Sequence, residues 1–255
     1  MSAILGPNDW PDRFAKAGLL SLADLVEAAE VVRDLPDRSN LLVEVDDARL
    51  FVKREKRRKT SREHEGIRRA REARVPTADV VMRGSDPDLG AFVGTLDLAP
   101  ARPFDALLQE GGLSGREVRR VFAALADAVA NLHDARLNHR DLYLCHVFAR
   151  IDDAGQAQIA IIDLERLRKH RRLLGPRVVK DLAAIFSSVP DGSTSEHQMA
   201  RFLLRYMRRR GIPRRGVYPG LARRIRRKMA RIRRHVPKTP VGEAARPGGG
   251  AKDDA

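Results

Sequence analysis

Several features common in proteins are scarce or missing in this chain of 255 residues, and each absence narrows its function. Cys145 is the single cysteine, which excludes an internal disulfide framework and indicates a reducing compartment. No apolar run approaches the ~18 residues that a membrane-spanning helix requires. The first residues include Asn8, Asp9 and Asp12 where an export signal would be apolar, so we expect no signal peptide and a cytoplasmic protein.

Acidic residues are missing from one stretch of an otherwise balanced chain. The sequence holds 49 Lys and Arg against 34 Asp and Glu, and residues 201–238 contain 16 of the basic residues and no acidic one. This local patch predicts a phosphate-rich partner, either an anionic membrane surface or nucleic acid, although a solvated basic face would have the same composition. Nucleic acid is less favoured because few aromatic side chains lie there to stack on bases, namely Phe202, Tyr206 and Tyr218.

The spacing of apolar residues predicts an α+β chain of two lobes behind a short helical extension. We assign residues 1–28 to the extension, 29–98 to an N-lobe, 99–240 to a mainly helical C-lobe with basic C-terminal helices, and 241–255 to a disordered tail. The N-lobe pattern is typical of five antiparallel strands and one exposed, highly charged helix. The strands are predicted at 29–33, 41–45, 49–53, 80–83 and 90–95, the helix at 60–73, and a turn at 35–40.

A long amphipathic helix is predicted early in the C-lobe. Ser114 and Glu117 have the capping-box spacing at its start, and apolar residues follow at helical spacing. This helix leads to a His-Arg-Asp triplet, His139, Arg140 and Asp141. Further helices are predicted at 178–187, 196–210 and 223–234.

Two aspartates, Asp141 and Asp163, lie between the long amphipathic helix and these further helices, and phosphoryl transfer from ATP needs such a pair. Asp141 lies between the buried helix and a short apolar strand at 147–149, where an aspartate can act as general base toward a hydroxyl. Asp163 follows the apolar run 159–162, where its carboxylate is well placed as a hard-oxygen ligand for magnesium.

Other charged residues complete the constellation. Lys53 directly follows the apolar end of the third strand, where it can reach the phosphates of a nucleotide, and a lysine in that role needs a carboxylate. Glu63 on the next helix is our choice, and Glu65 is the alternative. His146 can face the same site from the loop of the triplet, and Asp181 can accept hydrogen bonds from that loop's backbone. Each residue alone is more often structural, so their order along the chain carries the prediction.

The stretch His139-Arg140-Asp141-Leu142-Tyr143-Leu144-Cys145-His146 resembles the catalytic loop of the lipopolysaccharide core kinases, the Kdo and heptose kinases of Gram-negative bacteria. The resemblance implies a two-lobed protein-kinase-like fold, ATP, Mg²⁺, and a sugar hydroxyl of a lipopolysaccharide core or related glycolipid as acceptor. It implies Asp141 as the base, with His139 and Arg140 beside it as catalytic residues. It also implies Asp163 as the chief metal ligand, and Lys53 with Glu63 as the phosphate clamp.

Three departures from ordinary protein kinases favour a small or lipid-linked acceptor over a protein. A glycine-rich phosphate loop is missing, and residues 36–40 are expected to replace it through Arg38, Ser39 and backbone amides. Asp163 is not followed by Phe-Gly, and only 17 residues separate it from Asp181.

His146 stands where ordinary protein kinases have a metal-binding asparagine. We therefore assign it to the nucleotide and metal site, although imidazole is a poor ligand for so hard an ion as magnesium.

Two other functions stay open. One is a compact, atypical protein kinase, and the other is a non-catalytic pseudokinase that binds nucleic acid or a membrane through residues 201–238. In the leading interpretation, this basic segment holds a cytosolic enzyme at the inner face of the cytoplasmic membrane, where lipid-linked saccharides are displayed.

Overall fold

Five antiparallel strands, two preceding helices and one helix between the third and fourth strands form the first part of the chain. The computed structural model describes residues 4–173 and 175–235. The strands pair in the order β1-β2-β3-β5-β4. The elements of this part are α1 (Trp10–Lys16), α2 (Leu22–Ala28), β1 (Glu30–Asp34), β2 (Arg38–Val45), β3 (Ala48–Glu55), α3 (Arg62–Glu72), β4 (Val80–Asp86) and β5 (Gly90–Leu96).

Helices and short strand pairs form the second part. Its helices are α4 (Phe104–Glu110), α5 (Gly115–Asp134), α6 (Gly175–Ser187), α7 (Glu196–Arg209) and α8 (Tyr218–His235). Its strands are β6 (Arg102–Pro103), β7 (Leu137–Asn138), β8 (Val147–Ile151), β9 (Ala157–Ile161) and β10 (Arg168–Lys169), and two 3₁₀ turns span Leu144–His146 and Leu164–Arg166. β6 pairs with β8, β8 with β9, and β10 with β7.

The buried apolar residues form two cores. In the first core, one side of the sheet packs against α1 and α2, and its buried residues include Phe14, Leu25, Leu41 and Val52. The second core holds α5, α6 and α7, and it also includes Ile67 and Ala70 of α3. α3 is thus attached to the helical part. The predicted domain boundaries at residues 28 and 98 stay a prediction.

The start of α5 follows the predicted capping box. The Ser114 hydroxyl accepts a hydrogen bond from the backbone N–H of Glu117, whose carboxylate accepts one from the N–H of Ser114. Such a cap contributes about 1 kcal/mol to the helix. The apolar stripe of α5 is buried, which directs the chain toward His139.

Several sequence-based boundaries are wrong. The turn predicted at 35–40 ends earlier, because β2 begins at Arg38 and pairs with β3 along its whole length. β3 continues to Glu55, so Lys53 lies inside the strand instead of at its end. α4 was not predicted, and α8 starts five residues before its predicted start at 223. The helix predicted to be exposed, α3, buries one face that includes Glu63.

The basic C-terminal region forms α7 and α8 as far as residue 235. Ile225 of α8 is buried in the second core, and Leu221, Met229 and Ile232 pack against it, so the arginines lie on the outer face. Among residues 4–173 and 175–235, no helix combines the length and apolar character needed to cross a bilayer. The tail predicted at 241–255, and residues 236–240 before it, lie outside the described residues.

Candidate active site

Strand alternation places Lys53 on the side of the sheet opposite α1 and α2. Lys53 pairs with Asn40 of β2 and Val93 of β5, while its neighbour Val52 points into the core with those helices. Because successive side chains of a strand face opposite sides, Lys53 points toward α3 and the helical part.

Three charged groups meet at this point. The Lys53 Nζ donates hydrogen bonds to Glu63 Oε2 at 2.9 Å and to Asp163 Oδ1 at 2.6 Å. Burial alone would lower the pKa of Lys53, but the two carboxylates outweigh it and raise this pKa above its ordinary value. Burial likewise would raise the pKa of Asp163, and the charge of Lys53 brings it below its ordinary value. Lys53 and Asp163 are therefore both charged at neutral pH.

Two sets of hydrogen bonds hold Glu63 in place, one at the start of α3 and one at its own carboxylate. Ser61 caps α3 by accepting from the N–H of His64, and the buried Glu55 carboxylate accepts from the N–H of Arg62 at 2.6 Å. The second oxygen of Glu63 accepts a hydrogen bond from the backbone N–H of Leu164 at 3.0 Å. Glu63 thereby joins β3 to the chain directly after Asp163. The alternative, Glu65, faces the other way and pairs with arginines of its own helix.

Gly66 allows the close contact that this arrangement requires. A Cβ atom at Gly66 would overlap the carbonyl oxygen of Leu164. The 3₁₀ turn at Leu164–Arg166 packs directly on α3. Glycine is the one residue that leaves room for it.

The loop of the His-Arg-Asp triplet is fixed by a buried carboxylate. Asp181 of α6 accepts hydrogen bonds from the backbone N–H groups of His139 and Arg140, each at 2.9 Å. It also contacts the buried His133 ring at 3.3 Å. Burial would raise the pKa of Asp181, but the hydrogen bond and charge of His133 hold it below the ordinary value. The hydrogen bonds expected of Asp181 are present, and they hold Arg140 at a positive φ of 80°.

His139 is fully buried and links the two loops. Its Nε2 lies 3.1 Å from the carbonyl oxygen of Ile162, while its Nδ1 lies 3.4 Å from the backbone N–H of Asp141. A carbonyl accepts and an amide donates, so the ring is neutral with its proton on Nε2. Burial holds the pKa of His139 below its ordinary value, in agreement with that state.

His146 contacts both aspartate segments. Its Nδ1 lies 2.8 Å from the backbone oxygen of Asp141, and its Nε2 lies 3.7 Å from Asp163 Oδ2. The backbone N–H of Ile162 donates to the carbonyl of His146 at 3.0 Å. The two predicted acidic residues thus belong to one site, with Lys53 on the Asp163 side.

The structure separates the two residues expected to replace a phosphate loop. Arg38 lies on the same side of β2 as Asn40 and forms an ion pair with Glu165. The Lys53 Nζ lies 4.0 Å from the other carboxylate oxygen of Glu165. Ser39 lies on the opposite side, is buried, and donates its hydroxyl to Asp34 at 2.6 Å. The geometry brings Arg38 into the cluster and leaves Ser39 out.

Sequence reasoning missed three charged residues of the site. Glu165 joins the cluster of Lys53, and Arg166 donates to Asp141 Oδ2 at 2.5 Å. Lys180 directly precedes Asp181, which binds the backbone of the loop of Asp141. Most of these contacts join residues far apart in the sequence, so local spacing did not reveal them. The signal in the sequence was the high density of basic residues at 166–180 for Arg166 and Lys180, and the position two residues after Asp163 for Glu165.

The donor set at Asp163 fits a hard divalent cation. Oxygen atoms of Glu63, Asp163 and Glu165 lie within 4.8 Å of one another. Magnesium prefers such carboxylate oxygens. Both carboxylate oxygens of Glu63 accept hydrogen bonds, one from Lys53 and one from the N–H of Leu164, whereas Asp163 binds Lys53 through Oδ1 alone. Asp163, with Glu165 beside it, is therefore the better candidate to hold the ion.

Comparison with known proteins identifies the family. The profile described as "Lipopolysaccharide kinase (Kdo/WaaP) family" matches residues 37–206. The chain belongs to this lipopolysaccharide kinase family. Over 215 residues it is 33% identical to the lipopolysaccharide core heptose(I) kinase WaaP of Pseudomonas aeruginosa, covering 73% of this chain and 80% of that protein. It is 27% identical over 155 residues to the protein of the same name in Escherichia coli, covering 57% and 58% of the two chains.

A solved structure confirms the fold of this family member. The structure titled "WaaP in complex with acyl carrier protein" is 30% identical, has a TM-score of 0.70, and covers 90% of this chain and 98% of that one. The predicted two-lobed protein-kinase-like fold is confirmed, and so is the resemblance to the lipopolysaccharide core kinases. The protein is an enzyme, a phosphotransferase of lipopolysaccharide biosynthesis. The roles of its individual residues stay predictions.

Proposed function

We propose that this kinase transfers the γ-phosphoryl group of ATP, with magnesium, to a sugar hydroxyl of a lipopolysaccharide core. The observation that carries the proposal is the joint placement of Lys53, Glu63 and Asp163, with Asp141 attached to the same site through His146. The relatives named heptose(I) kinases make a core heptose the first acceptor to test.

The Asp163 side would bind the nucleotide. Lys53 would exchange part of its contact with Asp163 for phosphate oxygens, while Glu63 keeps its amine in place. Asp163 and Glu165 would hold magnesium, which neutralises phosphate charge and so favours attack by a neutral hydroxyl. Arg38, whose guanidinium reaches Glu165 from β2, is placed to contact the phosphates as well.

The Asp141 side would bind the acceptor. The Asp141 carboxylate accepts the proton of the acceptor hydroxyl while that oxygen forms its bond to the γ-phosphorus. The bond from this phosphorus to the β–γ bridging oxygen breaks, and ADP leaves. Asp141 must first exchange Arg166 for the hydroxyl. His139 and Arg140 position the base, since their contacts are with the backbone of the loop and its supports.

Replacing the proposed base tests this function. Asp141→Asn should lower kcat by about 10²–10⁴ with a core oligosaccharide acceptor, because the proton acceptor is lost. Phosphorylated saccharide is measured by mass spectrometry, and thermal unfolding checks the fold. Asp127→Asn, which removes a surface ion pair with Arg205, is the control and should retain wild-type turnover. Unchanged turnover by Asp141→Asn would remove the mechanism, and transfer to protein but not to saccharide would favour the protein-kinase alternative.

The outer face of α8 supports peripheral attachment at a membrane. Arg223, Arg224, Arg226 and Arg227 are exposed there, while the apolar side of the helix packs on the protein. Binding would thus be electrostatic, at about 1 kcal/mol per well-placed cation. Sedimentation with anionic vesicles should fall when these arginines are changed to glutamine and with added salt. Equal binding to neutral vesicles would contradict the proposal, and tighter binding to nucleic acid would favour nucleic acid as the partner of this face.

A groove beside α7 is a candidate binding site for a protein partner. The solved relative is titled as a complex with acyl carrier protein. Here a cavity of about 610 Å³ has an apolar floor that includes Phe122, Phe202 and Met207, and a rim that includes Arg201 and Arg208. We propose that an acidic acyl carrier protein binds at this rim with its acyl chain over the floor.

Charge reversal at the rim tests the partner. Arg201→Glu combined with Arg208→Glu should weaken the binding of purified acyl carrier protein by at least about tenfold, since like charges then meet. Arg33→Glu on the exposed β1 is the control. Equal affinity in all three proteins would contradict this partner site.

A further inference from the structure

A second basic cluster lies beside the proposed base, separate from residues 201–238. Residues 166–180 contain seven Lys and Arg and no acidic residue. Within the described part of the chain, only one of the seven has a carboxylate within ion-pair distance, namely Arg166 with Asp141. Most of these residues are exposed, and Lys180 is partly buried. The stretch begins directly after Glu165, so the site changes from acidic to basic between Glu165 and Arg166.

Backbone contacts fix the basic stretch against the catalytic loop. Strand β10 pairs with β7, which directly precedes His139. The backbone N–H of His170 donates to the carbonyl of Arg136 at 3.0 Å, and the Arg136 guanidinium donates to the carbonyl of Arg171 at 3.0 Å. The backbone of this stretch therefore lies at a defined place beside the loop that carries Asp141.

Lys180 is the most informative member of the cluster. It lies on α6 directly before Asp181, whose carboxylate binds the N–H groups of His139 and Arg140, so Lys180 stands beside the loop that carries Asp141. Burial lowers its pKa and so do Arg166 and Arg140, whereas Asp141 and Asp181 raise it. An anionic ligand would offset the repulsion between this ammonium and the two arginines.

We propose that Lys180, together with Arg140 and Arg166, binds a phosphate or carboxylate group carried by the acceptor saccharide, next to the hydroxyl that is phosphorylated. This inference rests on the proposed function. An anionic acceptor would draw Arg166 away from Asp141 and so free the base when the acceptor binds. The Asp163 side, which holds three carboxylates, would repel the same group and direct it to the Asp141 side.

Steady-state kinetics with matched acceptors tests the inference. One acceptor is a core oligosaccharide with its anionic groups, a second has its phosphates removed by phosphatase, and a third has its carboxylates reduced to alcohols. Wild type should show a KM about tenfold higher for one of the two modified acceptors, the size expected from losing one charge-assisted hydrogen bond. The modification that raises KM tells which anion is bound.

Lys180→Gln should raise KM for the anionic acceptor by about tenfold and leave KM for the sensitive modified acceptor unchanged. The KM for ATP should stay as in wild type. Lys180→Arg should restore the affinity for the anionic acceptor, which distinguishes charge from packing. Lys169→Gln removes one exposed charge of β10, whereas the ion pair described for Asp141 is with Arg166, and it should have an effect below about twofold.

Three outcomes would overturn the inference. The first is equal wild-type KM values for all three acceptors with normal phosphate transfer, which leaves the proposed function standing. The second is an equal effect of Lys180→Gln on anionic and modified acceptors. The third is an equal effect of Lys169→Gln and Lys180→Gln, which would indicate a diffuse field instead of a site. Absence of transfer to any saccharide would instead refute the proposed function, and the inference with it.

Discussion

Asp163 and Asp141 have opposite electrostatic surroundings, although one imidazole, that of His146, contacts the segments of both. Asp163 shares its space with Glu63 and Glu165, and the Lys53 amine lies among them. Asp141 is bordered by Arg166, and Lys180 lies nearby. The difference indicates a division of labour, with the acid-rich side suited to a cation and its polyphosphate and the base-rich side suited to an anionic acceptor.

The Asp141 side depends on the buried Asp181, so Asp181→Asn should have the largest effect on stability. The variant leaves the N–H groups of His139 and Arg140 with a neutral partner and removes the charge beside His133. We expect a loss of about 3 kcal/mol in the free energy of unfolding, measured by urea denaturation. In the folded variant, kcat should fall while ATP affinity is retained.

The surface pair of Asp127 and Arg205 provides the control for Asp181. Asp127→Asn should cost less than about 1 kcal/mol. If the two variants lose equal stability, or if Asp181→Asn weakens ATP binding as much as it lowers kcat, the separation of the two sides is wrong.

The Asp163 side depends on the contact of α3 with the Leu164 turn, and Gly66→Ala should disturb it. The added methyl group would overlap the carbonyl of Leu164. We expect a loss of about 1–3 kcal/mol in unfolding free energy and a raised KM for ATP, with KM for the acceptor unchanged. Calorimetry and steady-state kinetics measure the two effects.

Gly220→Ala in α8 is the matched control, since a Cβ there meets no atom within 4 Å. This variant should be neutral or more stable by up to about 1 kcal/mol, because alanine favours helix. Equal behaviour of the two alanine variants would show that the α3 contact does not determine the position of Glu63.

Acid should lower the free energy of unfolding gradually, with a smaller effect than Asp181→Asn or Gly66→Ala. The pKa of His139 lies below its ordinary value of 6.5, and that of Asp181 lies below 3.8. On acidification the unfolded chain therefore takes up protons first, so the free energy of unfolding falls as pH drops below about 6.5 and falls further below about 4. Urea denaturation across this range measures it. Stability that rises with acid would contradict the assigned states.

The sequence was sufficient for features that local pattern determines. Alternating apolar residues and turn-forming residues predicted the five strands, and the capping-box spacing of Ser114 and Glu117 predicted the start of α5. Short apolar runs indicated the positions of Lys53 and Asp163. The hydrogen bonds of Asp181 with the loop were predicted as well, although α6 begins at Gly175 and Asp181 lies in the middle of this helix.

Features set by distant contacts were not predictable. Ser39 and Asn40 are typical turn residues, but pairing with β3 extends β2 over them, and alternation then separates Arg38 from Ser39. The high charge of α3 suggested an exposed helix, whereas the N–H of Leu164, about a hundred residues away, lies against Glu63. α4 lacks a side-chain cap at Pro103 and is seven residues long, so it carried little signal.

The division between the two aspartates is tested most directly by nucleotide binding. ATP is titrated calorimetrically into wild type, Asp141→Asn and Asp163→Asn, each with and without magnesium. We expect Asp141→Asn to bind magnesium-ATP as wild type does, whereas Asp163→Asn should bind it at least about tenfold more weakly and gain little from magnesium. Loss of magnesium-dependent binding in Asp141→Asn, with full binding in Asp163→Asn, would contradict this division.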